Sequence, residues 1–487
     1  MKTQERNASA PPRYRRLTGV DSFMLGLDRG SLYNQTLKIA ILDPSTDPEG
    51  WSFDRYRAVL LQTHLHPGSL WAQRYLRTPL GLHQPIWVDD PDFELDAHVR
   101  RVACPAPGGM PELCAVIEQI SAQPLEHNRP LWQVWVVEGL EGGRVALVGL
   151  VHHAYTDGAG ASRIIEDLTS ASPTEISVRT PPEWNPPPLP TRRQLIAWAL
   201  RDLPPVLRTI PSALAAMRRR RRLESVPIEN RPSAQDRRQP QPFTGSLTRT
   251  RRFACASFPL EHLREVRGAL GGTVNDVFLS CVAGSVREFL AGRETPPARP
   301  VIGSIAFLNK PVGDRPEPWG NFSSADDVWL HADIADPVER LAAVRVSAQA
   351  TKDHFKAVAS ADPYLVLFDL MPGWAMRALL RFDERTGGRF TPAYDVVMSN
   401  VPGPATTSYF GRWRVEHLFS TGQLVHGFTL NVTAWSYDGQ FNVCVLTGSP
   451  RIDDAWEFID GFRASLDELR TIAGRASAPV ATGGTSA

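Results

Sequence analysis

Two adjacent histidines and an aspartate form the group in this sequence best suited to chemistry. In the stretch LVGLVHHAYTDGAG, an apolar run ends at His152 and His153, and Asp157 and Gly158 follow. Histidine changes charge near neutral pH, so it can accept and return a proton during a reaction. A nearby aspartate can fix an imidazole tautomer, cap a helix, or pair with an arginine. The pattern favours a proton-transfer site, and a purely structural pair is the alternative.

Metal binding and covalent catalysis fit the sequence less well. Successive strand side chains point to opposite faces, so His152 and His153 cannot both bind one metal while the strand continues. The four-residue spacing of HExxH zinc ligands is absent, as are GxSxG and GxxxxGK[ST] motifs. The segment GAGASR places Arg163 where a dinucleotide-binding loop carries Gly or Ala. We therefore expect neither a metal nor a bound prosthetic group.

Strands and helices are predicted around the histidines. Residues 145–151 are apolar on both strand faces, which predicts an interior strand. The preceding WQVWVVEGL predicts a second strand, and the following ASRIIEDL predicts a short helix. In the second half, Asp438 and Gly439 separate two strand-like runs, a strong hairpin signal. Strands and helices alternate with hairpins in each half, so we predict an α+β fold in two lobes.

Length and composition also favour two lobes. A chain of 487 residues, with 42% hydrophobic and 22% charged residues, exceeds one ordinary domain and can build large cores. The region 176–242 is rich in Pro and Arg, which predicts a linker with helical pieces. We therefore expect an N-terminal lobe at 1–175, a C-terminal lobe at 243–475 and a disordered tail at 476–487.

Charge and cysteine content limit which partners and which cellular compartment are expected. The 53 basic residues nearly balance 52 acidic ones, so no broad basic field invites nucleic acid. The five cysteines form no CxxC pair and are odd in number, which suits a reducing compartment. The N-terminal stretch lacks the apolar core of a secretory signal, and no apolar run approaches the roughly 20 residues of a membrane span. We expect a cytoplasmic protein whose membrane contact, if present, is peripheral.

Several motifs resemble those of a known family. HHAYTDG matches the HHxxxDG signature of the CoA-dependent acyltransferase superfamily, which includes condensation domains and the carnitine and chloramphenicol acyltransferases. The branch that the chain resembles is the bacterial wax ester synthase/acyl-CoA:diacylglycerol acyltransferase family. Five further stretches carry this resemblance in the family's order: NRPLWQVWVVEGLEGG, GGTVNDVFLSCVAG, WGN, SNVPGP and LNVTAWSYDGQF.

The resemblance implies a fold and a reaction. It implies two similar lobes of mixed sheet and helices, as in chloramphenicol acetyltransferase, joined by a long crossover linker with a central channel. His153 would be the general base that takes the proton from the hydroxyl of diacylglycerol or a fatty alcohol. That oxygen would attack the thioester of acyl-CoA, a co-substrate rather than a bound cofactor. His152 would pack or hydrogen-bond within the lobe, and Asp157 would hold the turn.

Other motif residues receive supporting roles by the same resemblance. Asn275, beside Asp276, could place an amide near the oxyanion or the acceptor, or could simply be the N-cap of a helix. Gly158 would let a substrate approach the backbone closely, and Trp132 would belong to the core. The remaining motif positions are Pro130, Leu131, Gly320, Asn321, Asn400, Pro402 and Gly403.

The five arginines from Arg218 to Arg222 allow two interpretations. Blocks of like charge are usually solvated. Arginines that follow the apolar IPSALAAM also resemble a basic interfacial segment that attracts anionic lipid. Membrane or lipid-droplet contact through this run is therefore a prediction, and nucleic-acid binding is not.

One departure from the family pattern leaves two alternatives open. Between Pro300 and Gly320 the family carries Pro-x-Ser-x-Arg, whereas VIGSIAFLNKP retains only Ser304. The enzyme could therefore use another acceptor, such as a polyketide-derived diol or a carrier-protein thioester. The other alternative is a catalytically silent scaffold that binds lipid or protein.

Overall fold

Two six-stranded sheets, each packed against helices, form the two lobes of the molecule. The computed structural model describes residues 14–63, 69–174, 186–224, 228–233, 236, 247–293, 300–308, 320–321, 323–359, 363–385, 394–425 and 427–477. Trp319 of the WGN motif and residues 478–487 of the predicted tail lie outside these ranges. Residues 476 and 477 are helical rather than disordered.

The strands follow one another along both halves of the chain. They are β1 (Arg15–Arg16), β2 (Gln35–Asp43), β3 (Gln73–Leu76), β4 (Ile86–Asp89), β5 (Val99–Ala103), β6 (Trp132–Glu138), β7 (Val145–His152), β8 (Arg252–Pro259), β9 (Ile302–Leu308), β10 (Ser323–Trp329), β11 (Val396–Pro402), β12 (Tyr409–Phe410), β13 (Trp413–Ser420), β14 (Leu430–Tyr437) and β15 (Gln440–Thr447).

The helices alternate with these strands. They are α1 (Gly19–Leu27), α2 (Phe53–Thr63), α3 (Met110–Ser121), α4 (Gly158–Leu168), α5 (Arg192–Leu207), α6 (Ile210–Glu224), α7 (Leu260–Leu270), α8 (Val274–Ala291), α9 (Pro337–Ala359), α10 (Pro363–Leu370), α11 (Gly373–Arg385) and α12 (Trp456–Ser477). The mixture of sheet and helix in each half confirms the predicted α+β fold.

The first sheet has the strand order β12-β13-β2-β7-β6-β5. Strand β7 pairs antiparallel with β2 on one side and with β6 on the other, and all its residues are buried. The register places His152 opposite Gln35 at the end of β2. The prediction of an interior strand that ends at the histidines is confirmed.

Two strands from the second half of the sequence complete the first sheet. Strand β13 pairs antiparallel with β2, and β12 pairs with β13 at the edge. The hydroxyl of Tyr437, on β14 of the other lobe, donates to the carbonyl oxygen of Val415 at 2.8 Å. Strands β12 and β13 therefore belong to the first sheet, although the predicted C-terminal lobe at 243–475 placed them in the other lobe.

The second sheet has the order β10-β9-β11-β14-β15-β8. Strands β14 and β15 form the predicted hairpin, with Asp438 and Gly439 at φ 45° and 75° in its turn. Strand β11 runs parallel to both β9 and β14, which makes this sheet mixed. Helices α7, α8 and α12 cover it with apolar side chains, including Phe278 and Phe462.

The predicted linker folds into helices where it is described. Helix α5 begins at the N-cap Thr191, whose hydroxyl accepts from the N–H of Gln194. Helix α5 contacts α10 and the short 3-10 turn Pro79–Gly81, and α6 packs against α10. The segment between the lobes therefore covers one side of the molecule.

No single helix among the described residues is long and apolar enough to cross a membrane. Helices α7 and α8 reach that length and composition only together, across a bend of 99°. The same described residues hold no cluster of three His, Cys, Asp or Glu side chains arranged for a metal.

Candidate active site

The turn after β7 carries the two histidines and leads into α4. The N–H of His153 donates to the carbonyl oxygen of Asn34 at 2.8 Å. Gly158 is the first residue of α4, and Asp157 is its N-cap, where Oδ1 accepts from the N–H of Gly160 at 2.9 Å. Of the roles considered for Asp157, helix capping is therefore present in the structure.

His152 is held within the lobe by both ring nitrogens. The N–H of Ala154 donates to Nδ1 of His152 at 3.0 Å, so the ring carries a proton on Nε2. That Nε2 lies 3.2 Å from Oδ2 of Asp28, which also lies 3.0 Å from Nε2 of His127. Burial alone would raise the pKa of Asp28, but the charge of His152, together with hydrogen bonds from His127, from His152 and from the N–H of Asn34, lowers it well below its usual range. His152 therefore supports the turn.

His153 contacts both its own backbone and Asn321. Its ring hydrogen-bonds to its own backbone carbonyl oxygen, and the amide nitrogen Nδ2 of Asn321 is placed 2.6 Å from Nδ1. A carbonyl only accepts and an amide nitrogen only donates. A proton on Nδ1 therefore requires the Asn321 amide in its alternative orientation, with the oxygen towards the ring, and Nε2 then keeps its lone pair. Burial, then the charges of Lys38 and His152, lower the pKa of His153 to about 4. The ring is neutral at neutral pH.

Asn321 reaches His153 from the second half of the chain. The preceding Gly320 donates its N–H to the carbonyl oxygen of Tyr155 at 2.8 Å and forms a parallel bridge with Thr156. The N–H of Asn321 donates to Oδ1 of Asp21 at 3.1 Å. Burial raises the pKa of Asp21 to about 6, although its hydrogen bonds oppose the increase. Two segments distant in sequence thus fix the position of Asn321.

Lys38 is a cation beside the site that the sequence analysis did not identify. It lies on β2, where its Nζ donates to the hydroxyl of Ser420 at 2.7 Å and lies 5.8 Å from the ring centre of Trp435. Burial lowers the pKa of Lys38 to about 8, and the negative charge of Asp157 opposes this change. A lysine within the apolar run QTLKIAILD was the signal for it in the sequence.

Lys38→Met should shift the pH dependence of the reaction. Removal of this positive charge, which acts on His153 and Asp157, raises the pKa of His153 from its value of about 4. A reaction that uses His153 as its base should then show an acid limb of kcat/KM about one pH unit higher, because the ring is protonated at higher pH. Lys38→Arg keeps the charge and is the control. An identical acid limb in wild type and Lys38→Met would contradict the electrostatic role.

An apolar cavity lies between α4 and the face of the first sheet. It encloses about 1040 Å³, including its open mouth. Strands β2 and β7, helix α2 and helix α4 contribute most of its wall. Its lining includes Lys38, Gly149, Thr156, Ala161, Ile165 and Leu168. Thr156 lies in the turn after β7, and the charge of Lys38 acts on His153. The cavity therefore adjoins the site of His153.

The expectation that Asn275 is an N-cap is wrong. Thr273 is the N-cap of α8, and Asp276 completes a capping box with it through hydrogen bonds of 2.8 and 3.2 Å. The Thr-x-x-Asp pattern was present in the sequence as the signal for this start. Asp276 also lies 3.8 Å from Nζ of Lys352. Asn275 accepts from the amide of Asn400 at 3.3 Å, which brings these two predicted residues together.

Pro130, Leu131 and Trp132 support the strand next to the histidines. The N–H of His152 donates to the carbonyl oxygen of Leu131 at 3.0 Å. The indole N–H of Trp132 donates to the carbonyl oxygen of Trp71 at 2.6 Å, and the Trp132 side chain is buried. Trp132 is a core residue, as expected, and it also lines the cavity.

Pro402 and Gly403 lie where the second sheet meets α4. The hydroxyl of Ser162 on α4 lies 3.5 Å from the carbonyl oxygen of Pro402. Gly403 donates its N–H to the carbonyl oxygen of Ser436 at 3.0 Å, and a Cβ at this position would lie only 2.5 Å from that oxygen. A side chain there would displace the backbone, which explains the glycine.

The altered segment after Pro300 begins as a buried strand. Ser304 is buried in β9, opposite Val397 of β11 and Asp327 of β10. It therefore contributes to the second sheet. Residues 309–319 lie outside the described residues.

Comparisons with solved structures define the class of fold. The chain matches the wax ester synthase/diacylglycerol acyltransferase from Marinobacter aquaeolei VT8 with a TM-score of 0.65 and 24% identity, over 94% of this chain and 100% of that one. It also matches the first condensation domain of the calcium-dependent antibiotic synthetase with a TM-score of 0.58 and 16% identity, over 97% and 98% of the two chains. The fold is therefore that of the two-lobed condensation-domain-like acyltransferases.

Sequence comparisons place the chain within one family of that class. Residues 17–278 match the wax ester synthase/diacylglycerol acyltransferase catalytic domain, and residues 319–470 match the WS/DGAT C-terminal domain. A Mycobacterium tuberculosis protein, provisionally assigned as a diacylglycerol O-acyltransferase, is 52% identical over 471 residues, or 96% of this chain and 99% of that protein. The chain belongs to the wax ester synthase/diacylglycerol acyltransferase family and is an acyltransferase.

Proposed function

We propose that the chain transfers a long-chain acyl group from acyl-CoA to diacylglycerol, which forms triacylglycerol, and that fatty alcohols serve as second acceptors. His153 is the general base in this proposal. The observation that carries it is the hydrogen bond between the ring and the backbone carbonyl of His153. With the proton on Nδ1 and the amide oxygen of Asn321 turned towards it, Nε2 of the neutral imidazole keeps its lone pair. The family's action on acyl acceptors supports the same assignment.

The reaction follows from this tautomer. Nε2 of His153 takes the proton from the acceptor hydroxyl while the oxygen attacks the thioester carbonyl carbon. The tetrahedral oxyanion collapses, the carbon–sulfur bond breaks, and CoA leaves as a thiolate that takes the proton back from Nε2. A thiol has a pKa near 8.5, so the leaving group needs little help. The base and the alignment of the acceptor therefore supply most of the rate enhancement.

The cavity beside α4 suits the acyl chain. Its apolar wall between the sheet and the helix buries methylene groups, each of which contributes about 0.8 kcal/mol when removed from water. Thr156 and Lys38 place one part of the wall next to the turn of His153. Acyl-CoA would then serve as co-substrate, with its chain inside the first lobe.

Ala161→Leu should reduce the use of long acyl chains. Ala161 is buried on α4 and lines the cavity, so three added carbons occupy space that methylene groups would otherwise fill. We expect kcat/KM for palmitoyl-CoA to fall about tenfold, and that for butyryl-CoA to change little. Initial rates with both donors measure this, and the short donor is the control. Equal loss with both donors would contradict the placement of the chain.

An acceptor panel tests the proposed function. Purified protein is given labelled palmitoyl-CoA with dioleoylglycerol, hexadecanol or a long-chain diol, and CoA release and labelled ester are both measured. Ester from dioleoylglycerol supports the proposal, whereas ester from the diol alone favours the alternative acceptor suggested by the altered segment after Pro300. No ester and no CoA release with any acceptor would instead support the silent scaffold.

Contact of this enzyme with a membrane belongs to the same proposal. Helix α6 carries the predicted basic run, in which Arg218, Arg219, Arg221 and Arg222 are exposed. Earlier in this helix, exposed apolar side chains include Leu214. Exposed apolar and arginine side chains on one helix suit the boundary between lipid headgroups and acyl chains.

A further inference from the structure

Helix α11 exposes aromatic side chains on the face directed away from the protein. Trp374 is 56% exposed and Phe382 is 54% exposed. These positions differ by eight residues and share one helical face with Ala378, Arg381 and Arg385, all of which are exposed. Aromatic and arginine side chains that share an outward face are typical of helices lying in a membrane interface.

The inner face of α11 is already used for packing. Met376 and Leu380 are buried, and α11 contacts α1. A Cβ built on Gly26 of α1 would lie 2.9 Å from Cδ1 of Leu380, so the two helices are in close contact. The core therefore accounts for the inner apolar residues of α11 and not for exposed Trp374.

A second exposed apolar side chain lies beside the start of α11. Leu80 is 69% exposed in the turn Pro79–Gly81, and its φ of 59° is unusual for a leucine. The neighbouring Gly81 approaches the N–H of Trp374, since a Cβ on Gly81 would lie 2.7 Å from that nitrogen. The chain thus holds a large apolar side chain in solvent, in a conformation that leucine rarely adopts, next to Trp374.

Three arginines, Arg77, Arg377 and Arg381, lie beside these apolar residues. Burial, followed by the positive charges of Arg77 and Arg381, lowers the pKa of Arg377. A Cβ on Gly81 would lie 2.9 Å from a guanidinium nitrogen of Arg377, which places this charge at the Leu80 turn. Within the described ranges, none of the three forms an ion pair with a carboxylate. These three positive charges complement an anionic surface.

We propose that this part of the molecule is a docking surface for an anionic phospholipid bilayer. The interfacial surface consists of Leu80, Trp374, Phe382, Arg77, Arg377 and Arg381. The arginines complement lipid phosphates, and the three apolar side chains enter the headgroup boundary, which a soluble phosphate ligand would not require.

The interfacial surface is joined to the site through α1. Helix α11 packs on α1, and α1 contains Asp21, which accepts from the N–H of Asn321 beside His153. Helix α10 contacts both α1 and the basic helix α6, so α6 extends the same side of the protein. This inference rests on the proposed function, since a bilayer dissolves the diacylglycerol acceptor.

Vesicle binding by the full-length protein tests the interfacial surface. Sedimentation with phosphatidylcholine vesicles is compared with sedimentation after phosphatidylglycerol is added. Each arginine near an anionic surface contributes about fivefold to binding. The triple variant Arg77→Gln/Arg377→Gln/Arg381→Gln should therefore bind the anionic vesicles about 100-fold more weakly than wild type. Trp374→Ala/Phe382→Ala should weaken it at least tenfold. Arg267→Gln/Arg475→Gln removes exposed arginines from α7 and α12 and should bind as wild type.

A second measurement separates this inference from the proposed function. Both interfacial variants should esterify a short, water-soluble alcohol at the wild-type rate while losing activity on dioleoylglycerol in anionic vesicles. If both variants bound anionic vesicles as tightly as wild type, the proposal that this surface docks on the bilayer would be wrong. A raised KM for acyl-CoA with the soluble alcohol would also overturn it, because that result would assign the arginines to CoA. Absence of activity in wild type with every acceptor would reject the proposed function alone.

Discussion

His153→Ala should lower kcat/KM for ester formation by about 10² to 10⁴-fold, the usual contribution of a well-placed general base. The variant loses the ring nitrogen proposed as the base, and His152 does not replace it because both of its ring nitrogens are engaged, with Ala154 and Asp28. KM for palmitoyl-CoA should change little, since the cavity wall does not include His153. CoA release and labelled ester, measured with dioleoylglycerol and hexadecanol, give the two rates.

A matched control separates loss of the base from loss of the fold. His98 is also buried, and burial lowers its pKa to about 4, but its Nδ1 bonds to the carbonyl oxygen of Trp132 at 2.7 Å. His98→Gln keeps a side-chain amide that can donate to this carbonyl, and it should retain activity per folded molecule. Circular dichroism and thermal unfolding report the folded fraction. Wild-type CoA release by folded His153→Ala would exclude the proposed mechanism.

Local patterns in the sequence predicted the strand and the turn of the site. An apolar run without alternation predicts burial on both faces, and β7 is buried between two strands. The Asp-Gly pair predicts a hairpin because both residues tolerate positive φ, and Asp438 and Gly439 adopt it. These features depend on a few neighbouring residues, so they can be read without knowledge of the fold.

The partners of the two histidines depend on the fold itself. Asp28 lies 124 residues before His152, and Asn321 lies 168 residues after His153. No periodicity links such positions. Asp28 and His152 meet only when the first lobe is folded, and Asn321 reaches His153 from the second half of the chain. The motif resemblance identified Asn321 as a shared residue but did not indicate what it contacts.

For a similar reason, the sequence could not show that β12 and β13 join the first sheet. WRVEHLFS reads as a strand, but nothing in it specifies whether it pairs with β2 or with a strand of its own half. The edge of the first sheet beside β2 was available for a partner, and the sequence does not show which edges are left unpaired. By contrast, the missed N-cap at Thr273 was a local signal, since Asp276 follows at the capping-box spacing.

The tautomer of His153 makes Asn321 the second residue whose replacement should have a large effect. Asn321→Ala removes the amide that lies 2.6 Å from Nδ1, so the ring keeps its own carbonyl as the acceptor and gains freedom to rotate. We expect kcat/KM to fall about 10- to 100-fold, the range found when a partner that orients a functional imidazole is removed. The N–H of residue 321 can still donate to Asp21, so the fold should persist.

Asn321→Asp distinguishes orientation from simple packing. A carboxylate has only acceptor atoms, so it preserves the hydrogen bond if Nδ1 carries the proton, and its negative charge stabilises the protonated ring. The pKa of His153 should then rise from about 4, and the acid limb of the kcat/KM profile should move to higher pH. Measurement from about pH 4 to about pH 8 would show the shift. If instead Nδ1 held the lone pair, the carboxylate would repel it, and both activity and the free energy of unfolding would fall below those of Asn321→Ala.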